Sequence, residues 1–107
     1  MFAISEGTRL VHGREVSTYA REIVSCNVLE VEAGTNGYQG GDAGHGSRTY
    51  FRIHDLGGTD IEIHVLGRYG DEGLEVSLGG DSELETIITA LKFITNVLED
   101  ESKGVQD

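Results

Sequence analysis

Proline is absent from the chain, and cysteine appears once, as Cys26. The first absence excludes a Pro-rich linker and leaves glycine as the strong chain-breaker. The second excludes an intramolecular disulfide and a zinc site built on thiolates. No histidine or basic residue adjoins Cys26 to lower its pKa, so an inert, half-buried thiol is expected. Basic residues are scarce as well: 8 Lys and Arg stand against 19 Asp and Glu, a formal net charge of −11. Neutralising phosphates requires clustered Lys and Arg, so direct nucleic-acid binding is disfavoured. Such a charge suits simple solubility or a partner with a basic surface. No apolar run approaches the roughly 18 residues of a membrane span. The first residues carry neither a basic nor an apolar signal region. The expectation is a cytoplasmic protein with no membrane contact.

What the chain has in excess is glycine, 16 of 107 residues, about twice the usual share of roughly 7%. The length fits one domain, read here as residues 1–98 followed by a frayed acidic tail, 99–107. Residues 1–13 read as a loop or short strand. Val16, Tyr19, Ala20, Ile23 and Val24 recur at helical spacing, which predicts a helix over 14–25. Leu29, Val31 and Ala33 alternate with Glu30 and Glu32, which predicts a half-buried strand.

Two further strands are predicted over 47–55 and 59–66. A three-residue loop ending at Gly58 would set Phe51 opposite Ile63 and Ile53 opposite Ile61. Leu74, Val76 and Leu78 give a fourth strand. From Ser82 onward, Leu84, Ile87, Ile88, Leu91, Ile94 and Leu98 form a long helical stripe, with Ser82 and Glu85 spaced as a capping box. The sum is an α+β fold: a four-stranded, mostly antiparallel sheet with two helices on one face. Its other face would carry Glu30, Glu32, Arg48, Tyr50, Arg52, His54, Asp60, Glu62, His64, Glu75 and Ser77, and could close against a second copy of the chain.

The segment 34–46 holds six glycines. A glycine-dense loop can turn its amides toward an anion and lets a ligand approach the main chain closely. The candidate ligand-binding residues are Tyr38, Gly40, Gly41, Asp42, Gly44, His45, Gly46, Arg48 and Arg52. Tyr38 would stack on a planar group and the arginines would pair its charge. The segment is neither a P-loop nor a dinucleotide fingerprint, because it lacks the Gly-Lys-Ser/Thr ending and leads into a strand. A plain flexible connection is the competing reading. Two other constellations are visible. His54, Asp60, Glu62 and His64 would share one face of the expected hairpin, where they could hold a divalent metal. Asp42, His45 and Ser47 resemble an orienting acid, a base and a nucleophile, although proximity in sequence supplies no convergence on an oxyanion hole. Neither displaces the expectation of no cofactor and no metal.

The run Gly40-Gly41-Asp42-Ala43-Gly44-His45-Gly46-Ser47-Arg48-Thr49-Tyr50, followed by Gly79-Gly80-Asp81, resembles uncharacterised short proteins of Gram-positive bacteria and their phages. In size and acidity the chain is also similar to phage anti-defence proteins. That resemblance implies sequestration of a nucleotide-derived immune signal or blockade of a nuclease. The leading expectation is therefore a binding protein rather than an enzyme, a homo-oligomeric sponge for a small nucleotide-derived ligand. One alternative is an acidic mimic of nucleic acid that inhibits a nuclease, of the anti-CRISPR type. The other is a metal-assisted hydrolase.

Overall fold

The computed structural model describes residues 4–40, 46–67 and 70–103. Strands β1 (Ser5–Val11) and β2 (Arg14–Val24) are joined by His12 and Gly13, both at positive φ, 45° and 83°. Two left-handed residues in a two-residue turn match the twist of antiparallel strands. Strands β3 (Val28–Thr35) and β4 (Thr49–Gly57) complete an antiparallel sheet in the order β1-β2-β3-β4. Strands β5 (Ile61–Leu66) and β6 (Gly73–Leu78) pair only with each other, as a separate ribbon. Helix α1 (Asp81–Ser102) follows.

Alternation decides which side of the sheet is dry. Leu29, Val31 and Ala33 on β3 are fully buried and meet Ala90, Phe93 and Ile94 of α1, with Ile23 of β2 completing the cluster. The larger of these side chains, Leu29, Val31, Phe93, Ile94 and Ile23, each contribute about 1.5–3 kcal/mol on burial. The odd-numbered residues of β3 thus face the helix. Glu30 and Glu32 point to the open side, as expected.

The sheet is strongly curled. Edge strands β1 and β4 come within 8 Å, Cα to Cα, where a flat sheet would hold them about 14 Å apart. Gly34 permits this. A Cβ there would lie 2.8 Å from Thr18 Cγ2 and 2.9 Å from Thr18 Cα, with the Ser17 carbonyl oxygen closer still. Val16, Thr18 and Glu32 are buried inside the curl, although no helix covers that side.

Several expectations need correction. Residues 14–24 of the expected helix form the strand β2 instead. Val16, Thr18, Ile23 and Val24 are β-branched and favour a pleated surface, and Thr18 is an interior position that apolar counting overlooks. Among the described residues there is one helix, not two, and β1 takes the first segment into the sheet. The expected β4–β5 hairpin is absent: Ile53 is opposite Val31, and Ile63 is opposite Val76. Gly58 does adopt positive φ, 73°, but it turns the chain away from β4 instead of back along it. The helix begins at Gly80 with no side-chain cap. The Ser82 hydroxyl instead donates to Asn27 Oδ1 at 2.9 Å. Helix α1 runs through Ser102 and so includes residues 99–102.

Asn27, buried in the β2–β3 turn, is the hub that fixes these pieces. Its Nδ2 donates to Thr59 Oγ1 at 3.0 Å, and its Oδ1 accepts from Ser82 and Thr86. Asp60 N donates to Glu83 Oε2 at 3.1 Å, and Gly79 N donates to the Asp60 carbonyl at 3.0 Å. The ribbon therefore springs from the N-terminal end of α1. Cys26, beside this hub, is exposed rather than half-buried.

Candidate binding site

The open side of the curled sheet concentrates the cations. Strand parity places Arg9, Arg14 and Arg52 there, and Arg48, one residue before β4, reaches the His12 carbonyl at the β1–β2 turn; together they are four of the eight Lys and Arg in the chain. The facing acids are Glu22, Glu30 and Glu32.

Glu32 is 5% exposed and accepts hydrogen bonds from three side chains. Arg9 donates to it from Nε at 2.9 Å and Nη2 at 2.6 Å, a forked pair. Thr18 Oγ1 donates at 2.7 Å, and Arg52 donates from Nη2 at 3.2 Å. The Arg9 hydrogen bonds, with help from Thr18 and Arg52, hold the Glu32 carboxyl down at about 2 against the opposing cost of burial. The same pairing raises the Arg9 pKa. Arg9 also lies over the Tyr50 ring, 5.3 Å from its centroid, so one side chain of β1 reaches both β3 and β4. Arg52 Nη2 additionally donates to Glu30 Oε1 at 2.8 Å.

Arg48 sits at the loop end of this face. Its backbone amide donates to Asn36 Oδ1 at 2.7 Å, and its Nε donates to the His12 carbonyl at 3.3 Å. Asn36 Nδ2 in turn donates to the Gly46 carbonyl at 3.2 Å, closing the neck of the glycine-rich segment. A Cβ on Gly46 would lie 2.7 Å from Gln39 Cβ and 3.9 Å from an Arg14 Nη1. Arg14, Gly46 and Arg48 are thus drawn together at the neck.

The expected site residues do not all converge. Gly41, Asp42, Gly44 and His45 lie outside the described residues, and with them the Asp42–His45–Ser47 constellation. Tyr38, 74% exposed, borders a cavity of about 190 Å³ with Thr35, Gly37, Ser47, Thr49 and Leu98. That cavity opens on the helix side of the sheet, because Thr35 and Thr49 share parity with the buried residues of β3 and β4. Among the described residues, nothing beyond its chain neighbours lies within 4 Å of a Cβ placed on Gly40. Arg52 is on the opposite side and is committed to Glu30 and Glu32. The metal constellation is dispersed. His54 lies 3.5 Å from Glu30 on the sheet, whereas His64 lies 3.8 Å from Glu62 on the ribbon. Among the described residues, no group of three His, Cys, Asp or Glu side chains is placed to hold a metal ion.

Arg9 and Arg14 were missed by sequence reasoning, since both belong to segments read there as loop and helix. The signal that could have found them is the His-Gly pair between Val11 and Arg14, a hairpin turn that would have placed Arg9 beside Val16. Comparison with protein-family models, curated proteins and solved structures finds no match for the chain. No helix among the described residues is long and apolar enough to cross a membrane.

Proposed function

We propose that the protein is a non-enzymatic binding protein that captures a small anionic ligand at the loop end of the open sheet face. The single observation that supports this is the gathering of half the cations on one side of a chain whose net charge is −11. Of these four, Arg14 and Arg48 lie beside Gly46, Arg48 also donating to the His12 and Ser47 carbonyls. A planar guanidinium pairs phosphate or carboxylate oxygens through two parallel N–H donors. Glycine at the neck lets the ligand reach main-chain amides. A nucleotide-derived compound supplies the charge for the arginines; Tyr38, on the helix side of the sheet, is not assigned to it. Arg52 is not assigned to the ligand, because moving it would strip Glu30 and Glu32 of a partner.

The test is calorimetric titration against a panel of nucleotides and cyclic dinucleotides. The expected outcome is binding that weakens by about 1.5–3 kcal/mol in Arg48→Ala, the scale of a hydrogen bond to a charged group. Arg14→Ala should weaken it to a similar extent. A panel in which nothing binds the wild type refutes the reading and moves the acidic-mimic alternative ahead.

A further inference from the structure

The cavity beside Tyr38, on the helix side of the sheet, has walls made largely of hydroxyls. Thr35, Tyr38, Ser47, Thr49 and Ser102 all line it, and none of them carries a charge. Strand β3 ends at its edge. Gly37, at φ 78°, turns the chain there, and its amide donates back to Thr35 Oγ1 at 3.1 Å. The turn leaves the Tyr38 ring at the mouth, in solvent.

A hydroxyl has one proton to give and two lone pairs to offer, so each proton in the wall can be traced. Thr35, buried, donates its proton to the Arg48 carbonyl at 2.9 Å. The Thr49 hydroxyl, 3.0 Å from Thr35 Oγ1, is then the donor of that pair. Ser102 donates to the Leu98 carbonyl, one turn back on α1. Thr49 and Ser102 have thus committed their protons inside the protein. What they keep for a molecule entering the cavity is lone pairs.

The electrostatics have the same sign. Ser102 is the last residue of α1, where the aligned carbonyls of a helix carry about half a negative charge. The last turn also holds Glu99, Asp100 and Glu101 and no basic residue. Lys103, just past it, pairs with Asp100 at 3.4 Å. The face of an exposed tyrosine ring attracts a cation as well. An anion would meet lone pairs and the negative pole of the helix, so the cavity rejects the kind of ligand that suits Arg14 and Arg48. Its volume, about 190 Å³, holds about six groups the size of a water molecule.

We propose that this cavity is a second binding site, for a short primary alkylammonium. The ammonium donates to Thr49 Oγ1 and Ser102 Oγ, its charge faces the Tyr38 ring, and its methylene stem lies against Leu98. The two sites occupy opposite sides of the sheet and take ligands of opposite charge.

The experiment is an NMR chemical-shift titration of the full chain with butylammonium. Butanol serves as the uncharged counterpart of similar size, and tetramethylammonium as a cation without N–H donors. The expected outcome is saturable shifts from butylammonium, centred on the amides of residues 35–38, 47–49 and 98–102. The other two probes should bind at least about 10-fold more weakly, the scale of one hydrogen bond to a charged group. Thr49→Val keeps the shape and the net charge but removes the acceptor, and should weaken butylammonium about 10-fold. Ser102→Ala makes the same test from the helix wall. Tyr38→Ala should weaken it about threefold. Val65→Thr, the reverse exchange on the exposed ribbon, should leave it unchanged. Butanol that binds as tightly as butylammonium overturns the proposal, as does a wild type without saturable shifts. Binding that survives both Thr49→Val and Ser102→Ala also overturns it, because the amine would then be collecting on the net negative charge of the chain. Titration of the nucleotide panel reads the other side of the sheet, so either site can fail alone.

Discussion

The curled sheet and the ribbon carry the same alternating pattern and meet opposite fates. On β3, Leu29, Val31 and Ala33 are sealed by α1, and the residues between them build a filled polar interior around Glu32. On β5 and β6, Ile61, Ile63, Val65, Leu74, Val76 and Leu78 alternate just as regularly, yet beyond Ile61 and Leu78 they face solvent. Alternation assigns each side chain to a face. It does not say whether the chain itself provides the cover. Over β2 and β3 the sheet is covered on both sides, by α1 on one and by its own curvature on the other. The ribbon has no such device.

The sharpest way to break the sheet is to remove its curvature. Gly34→Ala should cost more than about 3 kcal/mol or prevent folding, because the new methyl would strike the β2 backbone, which cannot yield as a side chain can. Denaturant titration measures it. A variant within 1 kcal/mol of the wild type would mean that the curl is not needed.

Next in size is the polar interior. Arg9→Ala combined with Arg52→Ala strands a buried carboxylate and should cost about 3 kcal/mol. Glu32→Gln should cost less, since both arginines are more than one-third exposed and can turn to water. Acid should reproduce the loss. The Glu32 pKa is lowered to about 2 in the folded chain from 4.5, so the unfolded chain takes up a proton first. Its stabilisation is complete above about pH 4.5 and disappears as pH falls toward 2. In Glu32→Gln this part of the acid transition should be missing. An unchanged acid profile would remove Glu32 from the account.

The joint between the two regions should be weaker. Asn27→Ala removes the bond to Thr59 and the acceptor for Ser82 and Thr86, with an expected loss of about 2 kcal/mol in thermal melting. The smallest effect belongs to the ribbon. Glu62→Gln breaks only an exposed contact with His64, 3.8 Å long, and should shift stability by no more than about 0.5 kcal/mol. A larger change would show that the ribbon has a polar network of its own.

The legible and illegible parts of the chain divide along the same line. The odd-numbered core of β3, the helical stripe of α1 and the β5 and β6 segments could be read from period alone. Strand β2 could not, because Thr18 and Glu32 form a buried polar pair and neither residue type counts as interior in an apolar pattern. The Ile53–Ile61 pairing was attractive because it satisfied both faces locally. It lost to Asn27, whose contacts with Thr59 and Ser82 span more than 30 and 50 positions. At the site, Arg48 was found from its place beside the glycine-rich segment. Arg14 required knowing that residues 12 and 13 form a turn.

The order of elements along the chain bears on how the molecule is made. Helix α1, which seals Leu29, Val31 and Ala33, follows all six strands, and the Ser82 and Thr86 partners of Asn27 are on it. As synthesis proceeds at about 5–20 residues per second, β1 to β4 leave the ribosome with their apolar side uncovered. They stay so for the several seconds needed to make residues 58–102. The acids on the opposite face of that nascent sheet, Glu22, Glu30 and Glu32, then keep neighbouring nascent chains apart until the helix arrives. High negative charge in this chain thus has work to do before the fold exists.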